Sequence, residues 1–182
     1  RVLGLVVVPA HLGTAVLVFC TLWAMAVGLL PYQAKGTVGK LPWLGGVAVA
    51  LVYGQSLLGG LVGSRWAAHQ CFGLAELCSV VNAHLIGVVP ATLAVVVLAV
   101  VAWRTPALDG MLRSQATLAF GLLILQLILG VATFRLHLQV EPLTVCHQAI
   151  GAALLGTLVC FTVLSIRDCS LREENLKSPA MP

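Results

Sequence analysis

Histidine is the side chain with most scope for chemistry in this 182-residue chain, because imidazole binds metals and exchanges protons near neutral pH. Five histidines occur: His11, His69, His84, His137 and His147. His84 and His147 each stand near the start of a long apolar run. An ionisable residue inside a membrane segment indicates a functional site by default, although an interfacial histidine with no such role is the alternative.

A repeated pattern accompanies these two histidines. Gln55-Ser-Leu-Leu-Gly59 is echoed by Gln126-Leu-Ile-Leu-Gly130. Each motif is followed by a loop and then by a run that opens with histidine, His84-Leu-Ile-Gly87 or His147-Gln-Ala-Ile-Gly151. Two such units predict a four-helix bundle with pseudo-twofold symmetry and one histidine from each half. Two imidazoles on different helices at similar depth suit the axial ligation of a heme iron.

The small residues and the glutamines beside the histidines each have two possible roles. The small residues either leave room for a flat macrocycle or only allow close helix packing, and they are Gly59, Gly60, Gly63, Gly87, Gly130, Gly151 and Ala152. Gln55 and Gln126 need partners in an apolar run. Packing between helices is the favoured role for these amides, with contact to the polar edge of a heme as the alternative.

Four further residues are candidates on the same side as the histidines. Arg65 and Arg135 stand where two apolar runs end, so they either pair with heme propionates or anchor the helices at the interface by snorkelling. Cys71 and Cys78 share one loop, where a stabilising disulfide is favoured over a redox-active pair. Zinc is disfavoured, because Cys146 and His147 are adjacent and no CxxC motif supplies further ligands.

The elements that must position these residues are membrane helices. Hydrophobic residues make up 60% of the chain and charged residues 9%, against about 25% charged in soluble domains. This composition excludes a soluble enzyme, a disordered tail and a nucleic-acid binder. A spanning helix needs about 20 apolar residues. Five segments qualify: Val2 to Leu30, Trp43 to Gly63, Val80 to Trp103, Leu112 to Phe134 and Leu143 to Ile166.

Basic residues predict the orientation of these helices. The loops and tail on one side carry seven of them, namely Lys35, Lys40, Arg104, Arg113, Arg167, Arg172 and Lys177, and the other side carries Arg1, Arg65 and Arg135. The positive-inside rule places the seven-charge side in the cytoplasm, together with the tail 167–182. All five histidines then lie toward the outer leaflet. The chain begins with Arg1 rather than Met, so we expect it to start inside a longer protein.

These motifs resemble the heme A synthase family, the Cox15/CtaA-type membrane proteins, over about residues 50 to 165. The resemblance is carried by Gln55-Ser-Leu-Leu-Gly59-Gly-Leu-Val62, by Cys71 with Cys78, by His84, by Leu125-Gln126-Leu-Ile-Leu-Gly130-Val-Ala-Thr133 and by His147-Gln148. His11-Leu-Gly-Thr-Ala15 resembles the helix that closes the family's first half. The resemblance implies that 43–166 is the second, heme-binding half and that 1–30 is the last helix of a first half whose other helices are absent.

The family's known chemistry supplies the remaining expectations. His84 and His147 inherit the axial ligation of heme b, and His11 belongs to a substrate-heme site whose other histidine and glutamate are absent here. The resemblance implies oxidation of the C8 methyl group of heme O to the formyl group of heme A, with heme O synthase and an electron acceptor as partners. Leu85 stands where many members have arginine.

Two other classes of function stay open. One is a b-type cytochrome subunit that carries electrons without catalysis, and the other is a thiol–disulfide oxidoreductase that uses Cys71 and Cys78. A bacterial plasma membrane is the expected location, with the mitochondrial inner membrane as the alternative. Membrane lipid surrounds the protein in either case, and the sequence leaves open a homo-oligomer.

Overall fold

The computed structural model of the chain describes residues 2–33, 38–63, 79–136 and 138–177, of which 2–6 and 171–177 are described by their backbone only. These residues form five helices: α1 (Val2–Leu29), α2 (Leu41–Val62), α3 (Ser79–Arg104), α4 (Gly110–Arg135) and α5 (Glu141–Lys177). Each contains a stretch long and apolar enough to cross a membrane. The predicted all-α membrane fold with five spanning helices is therefore confirmed.

The ends of the helices follow from local chemistry. Pro42 stands in the first turn of α2, where its missing N–H is not needed for a helical hydrogen bond. Asp109 caps α4, because its carboxylate accepts a hydrogen bond of 2.8 Å from the backbone N–H of Met111. The last helix is longer than the apolar run predicted. Residues 167–177 continue α5 beyond that run.

The last four helices form a closed bundle. Neighbours in sequence pack against each other, and α5 also packs against α2, which completes the ring. Consequently α3 and α5 lie diagonally opposite each other across the bundle. We call the end where α2 and α4 finish the outer end and the opposite end the inner end. The outer half of the bundle comprises 53–63, 79–90, 124–136 and 141–153, and the inner half comprises 41–52, 91–104, 110–123 and 154–170.

The core of the bundle is concentrated in the inner half. Large side chains from all four helices are fully buried there, including Leu41, Leu98, Leu112, Leu155, Leu158 and Phe161. In the outer half, only Val81, Thr133 and Gly151 are buried among the described residues. The inner half therefore provides most of the packing, and packing is what holds helices together in lipid.

Helix α1 packs on the outside of this bundle, in the groove between α2 and α5. Glycines let the backbones approach each other. Gly13 lies against Tyr53, whose hydroxyl donates a 3.3 Å hydrogen bond to the Gly13 carbonyl, and Gly156 lies against the ring of Phe19. A Cβ at Gly156 would stand 3.1 Å from that ring. The close fit fixes α1 against the same two helices along most of its length.

A polar cluster joins α1 to α5 at the inner end. The Arg167 guanidinium donates two 3.0 Å hydrogen bonds, to the carbonyls of Val27 and Leu30 at the end of α1, and lies 5.7 Å from the centre of the Tyr32 ring. The Tyr32 hydroxyl donates a 3.2 Å hydrogen bond to the buried Asp168 carboxylate. Arg167 thus gives both carbonyls a side-chain partner, and the Val27 carbonyl also accepts a 3.2 Å hydrogen bond from the Leu30 N–H.

Candidate functional site

Gln55 and His84 meet between α2 and α3 in the outer half. The Gln55 amide nitrogen lies 3.0 Å from Nδ1 of His84 and donates a 2.7 Å hydrogen bond to the main-chain carbonyl of the same residue. An amide nitrogen can only donate, so Nδ1 is the acceptor and Nε2 carries the proton in this arrangement. The amide therefore contacts Nδ1 of His84 and does not contact Nε2.

Gln126 and His147 form the corresponding pair between α4 and α5. Here the amide nitrogen lies 3.3 Å from Nε2 of His147, a longer contact made to the other ring nitrogen. Nδ1 of His147 and Oε1 of Gln126 are buried without a hydrogen-bond partner. Buried polar atoms are nearly always paired, so an unpaired imidazole nitrogen indicates a site that takes a further partner.

A glycine one turn from each glutamine makes room for the imidazole. A Cβ at Gly59 would stand 3.2 Å from Cε1 of His84, and a Cβ at Gly130 would stand 3.1 Å from Cε1 of His147. Both distances are shorter than ordinary van der Waals contact. The glutamine and the glycine are four residues apart, which places them on one face of their helix.

The contact is reciprocal, because the histidine helix offers a glycine to the glutamine. A Cβ at Gly87 would collide with Oε1 of Gln55, and one at Gly151 would stand 3.0 Å from Nε2 of Gln126. We call each such group of glutamine, histidine and two glycines a Gln–His unit: the first comprises Gln55, Gly59, His84 and Gly87. The second comprises Gln126, Gly130, His147 and Gly151.

One difference in spacing separates the two Gln–His units. Gly87 is the third residue after His84, whereas Gly151 is the fourth residue after His147. At about 100° per residue, the histidine and glycine are turned by roughly −60° in the first unit and +40° in the second. The imidazole therefore meets its amide from a different side, which accounts for the different ring nitrogen in contact.

The two histidines lie at similar depth in the outer half of the bundle. His84 lies about 8 Å from the start of α3 and His147 about 9 Å from the start of α5. Their helices are diagonal across the bundle. Two half-buried imidazoles at one depth, each with one nitrogen held by an amide, can present the other nitrogen to a metal.

Other predicted site residues are not part of this arrangement. His11 is exposed on α1, and Arg135 is exposed in the last turn of α4. Arg65, Cys71 and Cys78 lie outside the described residues, so the predicted propionate contact of Arg65 and the predicted disulfide stay predictions. Within the part of the chain that the structure describes, no three His, Cys, Asp or Glu side chains form a group that could hold a metal ion. A bis-imidazole site needs only two.

Sequence reasoning did not predict that the amides contact the histidines. Packing between helices was the favoured role of Gln55 and Gln126, and each does join two helices, but through the imidazole of the same unit. The repeated spacing of glutamine and glycine was visible beforehand. The sequence does not show that this face of α2 turns toward α3, or that the corresponding face of α4 turns toward α5.

Comparison with known protein families gives a match for this chain. A family model described as cytochrome oxidase assembly protein, COX15–CtaA, matches residues 3–159. The chain belongs to this family. As a COX15–CtaA protein it is a multi-pass membrane protein of the heme A synthase family, and the matched segment contains both Gln–His units. Comparison with curated proteins and with solved structures gives no match.

Proposed function

We propose that the outer half binds one heme b between His84 and His147, and that the chain supplies this heme-binding bundle of a heme A synthase. One observation carries the proposal: two Gln–His units place imidazoles at similar depth on diagonal helices, and Nδ1 of His147 is buried without a partner. The donor set of two imidazoles would fit a heme iron.

The residues of the chain would hold the heme in defined ways. His84 and His147 would supply nitrogen ligands to the iron. Gly59 and Gly130 would leave room for the two imidazoles, and Gly87 and Gly151 would leave room for the amides of Gln55 and Gln126. The apolar surroundings of α2 to α5 would exclude water and so affect the redox potential. When bound, the heme would supply one-electron redox chemistry at this site.

The proposed reaction is the oxidation of the C8 methyl group of heme O to the formyl group of heme A. If water supplies the oxygen atom, this conversion releases four electrons and four protons. The heme-binding bundle would relay those electrons toward an acceptor, which is the role of a cofactor whose electronics the protein tunes. Heme O, its synthase and the electron acceptor are the partners that this proposal implies.

Optical spectra test the heme site. The chain would be purified in detergent after heme-replete expression, and its oxidised and dithionite-reduced spectra recorded for wild type, His84→Ala and His147→Ala. We expect the sharp reduced α-band of low-spin b-type heme in wild type and its loss in both variants. His11→Ala is the matched control and should keep the band. Heme retained unchanged in both His84→Ala and His147→Ala would refute the assignment.

Analysis of extracted hemes tests the reaction. The full-length protein would be expressed in cells that lack their own heme A synthase, and the ratio of heme A to heme O measured by chromatography. We expect heme A with wild type and accumulation of heme O with His84→Ala. A wild-type protein that binds heme b but forms no heme A would instead favour the electron-carrier alternative.

The proposal includes an orientation in the membrane. Lys40, Arg104, Arg113 and Arg167 lie at the inner end, and Arg135 lies at the outer end. The excess of basic residues supports a cytoplasmic inner end in a bacterial plasma membrane. A reporter fused after Pro182 should be active only in its cytoplasmic form, and activity of an exported reporter would reverse the orientation.

A further inference from the structure

Each Gln–His unit contains an amide that contacts the histidine proposed to bind the heme. We infer that Gln55 and Gln126 are positioning residues: each holds one nitrogen of an imidazole and leaves the other nitrogen for the iron. This inference rests on the proposed function. It concerns residues that contact the ligands rather than the heme itself.

Glutamine is suited to this role because its amide offers a donor and an acceptor at one site. In the present structure the Gln55 nitrogen donates toward Nδ1 of His84. An imidazole that gives Nε2 to a metal carries its proton on Nδ1, and it then needs an acceptor. Turning the amide over would present Oε1 to that proton and would give up the 2.7 Å bond to the His84 carbonyl. One side chain can therefore hold the ring before and after the metal binds.

The reciprocal glycines restrict both side chains. His84 is confined by Gly59 and Gln55 is confined by Gly87, because each glycine Cα faces the side chain from the neighbouring helix. The second unit repeats this with Gly130 and Gly151. A glutamine that only joined two helices would have no need of a glycine beneath the imidazole. The repeated interlock favours control of the ring orientation.

The two units should hold their imidazoles with different strength. Gln55 contacts the His84 ring at 3.0 Å and is itself fixed by the 2.7 Å bond to the His84 carbonyl. Gln126 makes one contact at 3.3 Å, and its Oε1 has no partner. Loss of the Gln55 amide should therefore affect the heme more than loss of the Gln126 amide.

The test uses Gln→Met, which keeps the length of the side chain and removes both hydrogen-bonding atoms. Gln55→Met and Gln126→Met would be compared with Gln115→Met, an amide on the same face of α4 as Gln126 but in the inner half. Two quantities would be measured on the heme-loaded chain: the rate of heme transfer to an excess of apomyoglobin, and the midpoint potential.

A positioning role predicts a specific set of results. Partners of metal-ligating histidines are typically worth about 10- to 100-fold in affinity, so Gln55→Met should release heme at least 10-fold faster. Its midpoint potential should rise, because an imidazole without an acceptor on its second nitrogen donates less charge to ferric iron. Gln126→Met should give smaller changes of the same sign, and Gln115→Met should match wild type.

Gln55→Glu distinguishes positioning from simple support of the fold. Glutamate keeps an acceptor oxygen, so this variant should retain heme and lower the midpoint potential, opposite to Gln55→Met. Heme release and potentials equal to wild type in both methionine variants would overturn the inference while leaving the proposed function intact. Equal changes in Gln115→Met would also overturn it. A wild-type chain without heme would instead refute the proposed function and the inference with it.

Discussion

The inner and outer halves of the bundle share four helices but differ in how their interiors are built. The inner half fills its interior with large apolar side chains, of which Leu98 on α3 is 1% exposed and Leu155 on α5 is 0% exposed. The outer half places glycine, glutamine and histidine between the same helices. A packed inner half can hold the helices in position while the outer half brings polar side chains together between them.

This difference explains why four glycines can be tolerated in the outer half of spanning helices. Glycine costs about 1 kcal/mol relative to alanine in a helix interior and contributes no packing of its own. Stability in lipid comes from contacts between helices rather than from burial away from water. Because the inner half supplies those contacts, the outer half can use glycine where an imidazole or an amide must approach.

The largest effect on folding should follow truncation of a buried leucine in the inner half. Leu98→Ala leaves a cavity in the core of the inner half and should cost about 2–3 kcal/mol of unfolding free energy, at the low end of such substitutions because lipid is itself apolar. Unfolding in mixed micelles measures this loss. Leu93→Ala, on the same helix but 57% exposed, is the control and should change stability little.

The heme spectrum of folded Leu98→Ala should equal that of wild type. If this variant loses heme in proportion to its loss of stability, the two halves of the bundle do not have separate roles, and the comparison fails.

Replacing glycine by alanine in the outer half should have the opposite effect: it should weaken heme binding without lowering stability. Gly59→Ala and Gly130→Ala place a Cβ at 3.2 and 3.1 Å from Cε1 of His84 and His147, so the rings must move. We expect heme affinity to fall about 10-fold, by analogy with other displaced ligand supports. The free energy of unfolding should be unchanged or higher, because alanine favours helix over glycine.

Gly54→Ala and Gly121→Ala are matched controls for this pair. They lie on the same helices as Gly59 and Gly130, and a Cβ at either position meets no atom within 4 Å. Heme titrations of the apoprotein should show wild-type affinity for both controls. Equal losses of affinity in controls and test variants would remove the steric explanation.

The sequence predicted most of the fold, because five apolar runs of spanning length fix where helices lie in a membrane. The α5 helix was predicted to end near Ile166, because hydropathy falls there as charged residues begin. Helix propensity does not fall with it, since Leu, Arg, Glu and Lys are all good helix formers. The helix therefore runs on to Lys177, and Asp168 becomes buried against the end of α1.

The sequence predicted less of the candidate site. The residue types and depths of His84 and His147 follow from their place in the apolar runs. Their contacts with Gln55 and Gln126 depend on how each helix is rotated about its axis, which hydropathy does not determine in helices that are apolar on all sides. The hydrogen bond from Tyr32 to Asp168 joins residues 136 positions apart, and only the packing of α1 on α5 brings them together.

The smallest effect should follow removal of the Tyr32 hydroxyl at the inner end. Tyr32→Phe loses one 3.2 Å hydrogen bond to Asp168 and should cost about 1 kcal/mol of unfolding free energy near neutral pH. Burial, with the Asp168 charge beside it, raises the pKa of Tyr32 above its ordinary value. The unfolded tyrosine ionises first as the pH rises, so wild-type stability should fall above about pH 10.

Tyr32→Phe should show a weaker fall over that alkaline range, because this variant has no hydroxyl at the position to ionise. Denaturant unfolding at a series of pH values, with Tyr53→Phe as the control, measures the difference. Parallel curves for wild type and Tyr32→Phe above pH 10 would contradict a role for the buried hydroxyl. The heme spectrum should be the same in both proteins, since the site lies in the other half.

Electron paramagnetic resonance of the ferric, heme-loaded chain tests the division between the halves most directly. The outer half is predicted to supply both axial ligands, so wild type should give a single low-spin signal typical of two imidazoles. Any heme retained by His84→Ala or His147→Ala should give a high-spin signal, because one ligand is lost, while His11→Ala stays low-spin. A high-spin wild-type signal, or a low-spin signal that survives both substitutions, would contradict the heme site described above.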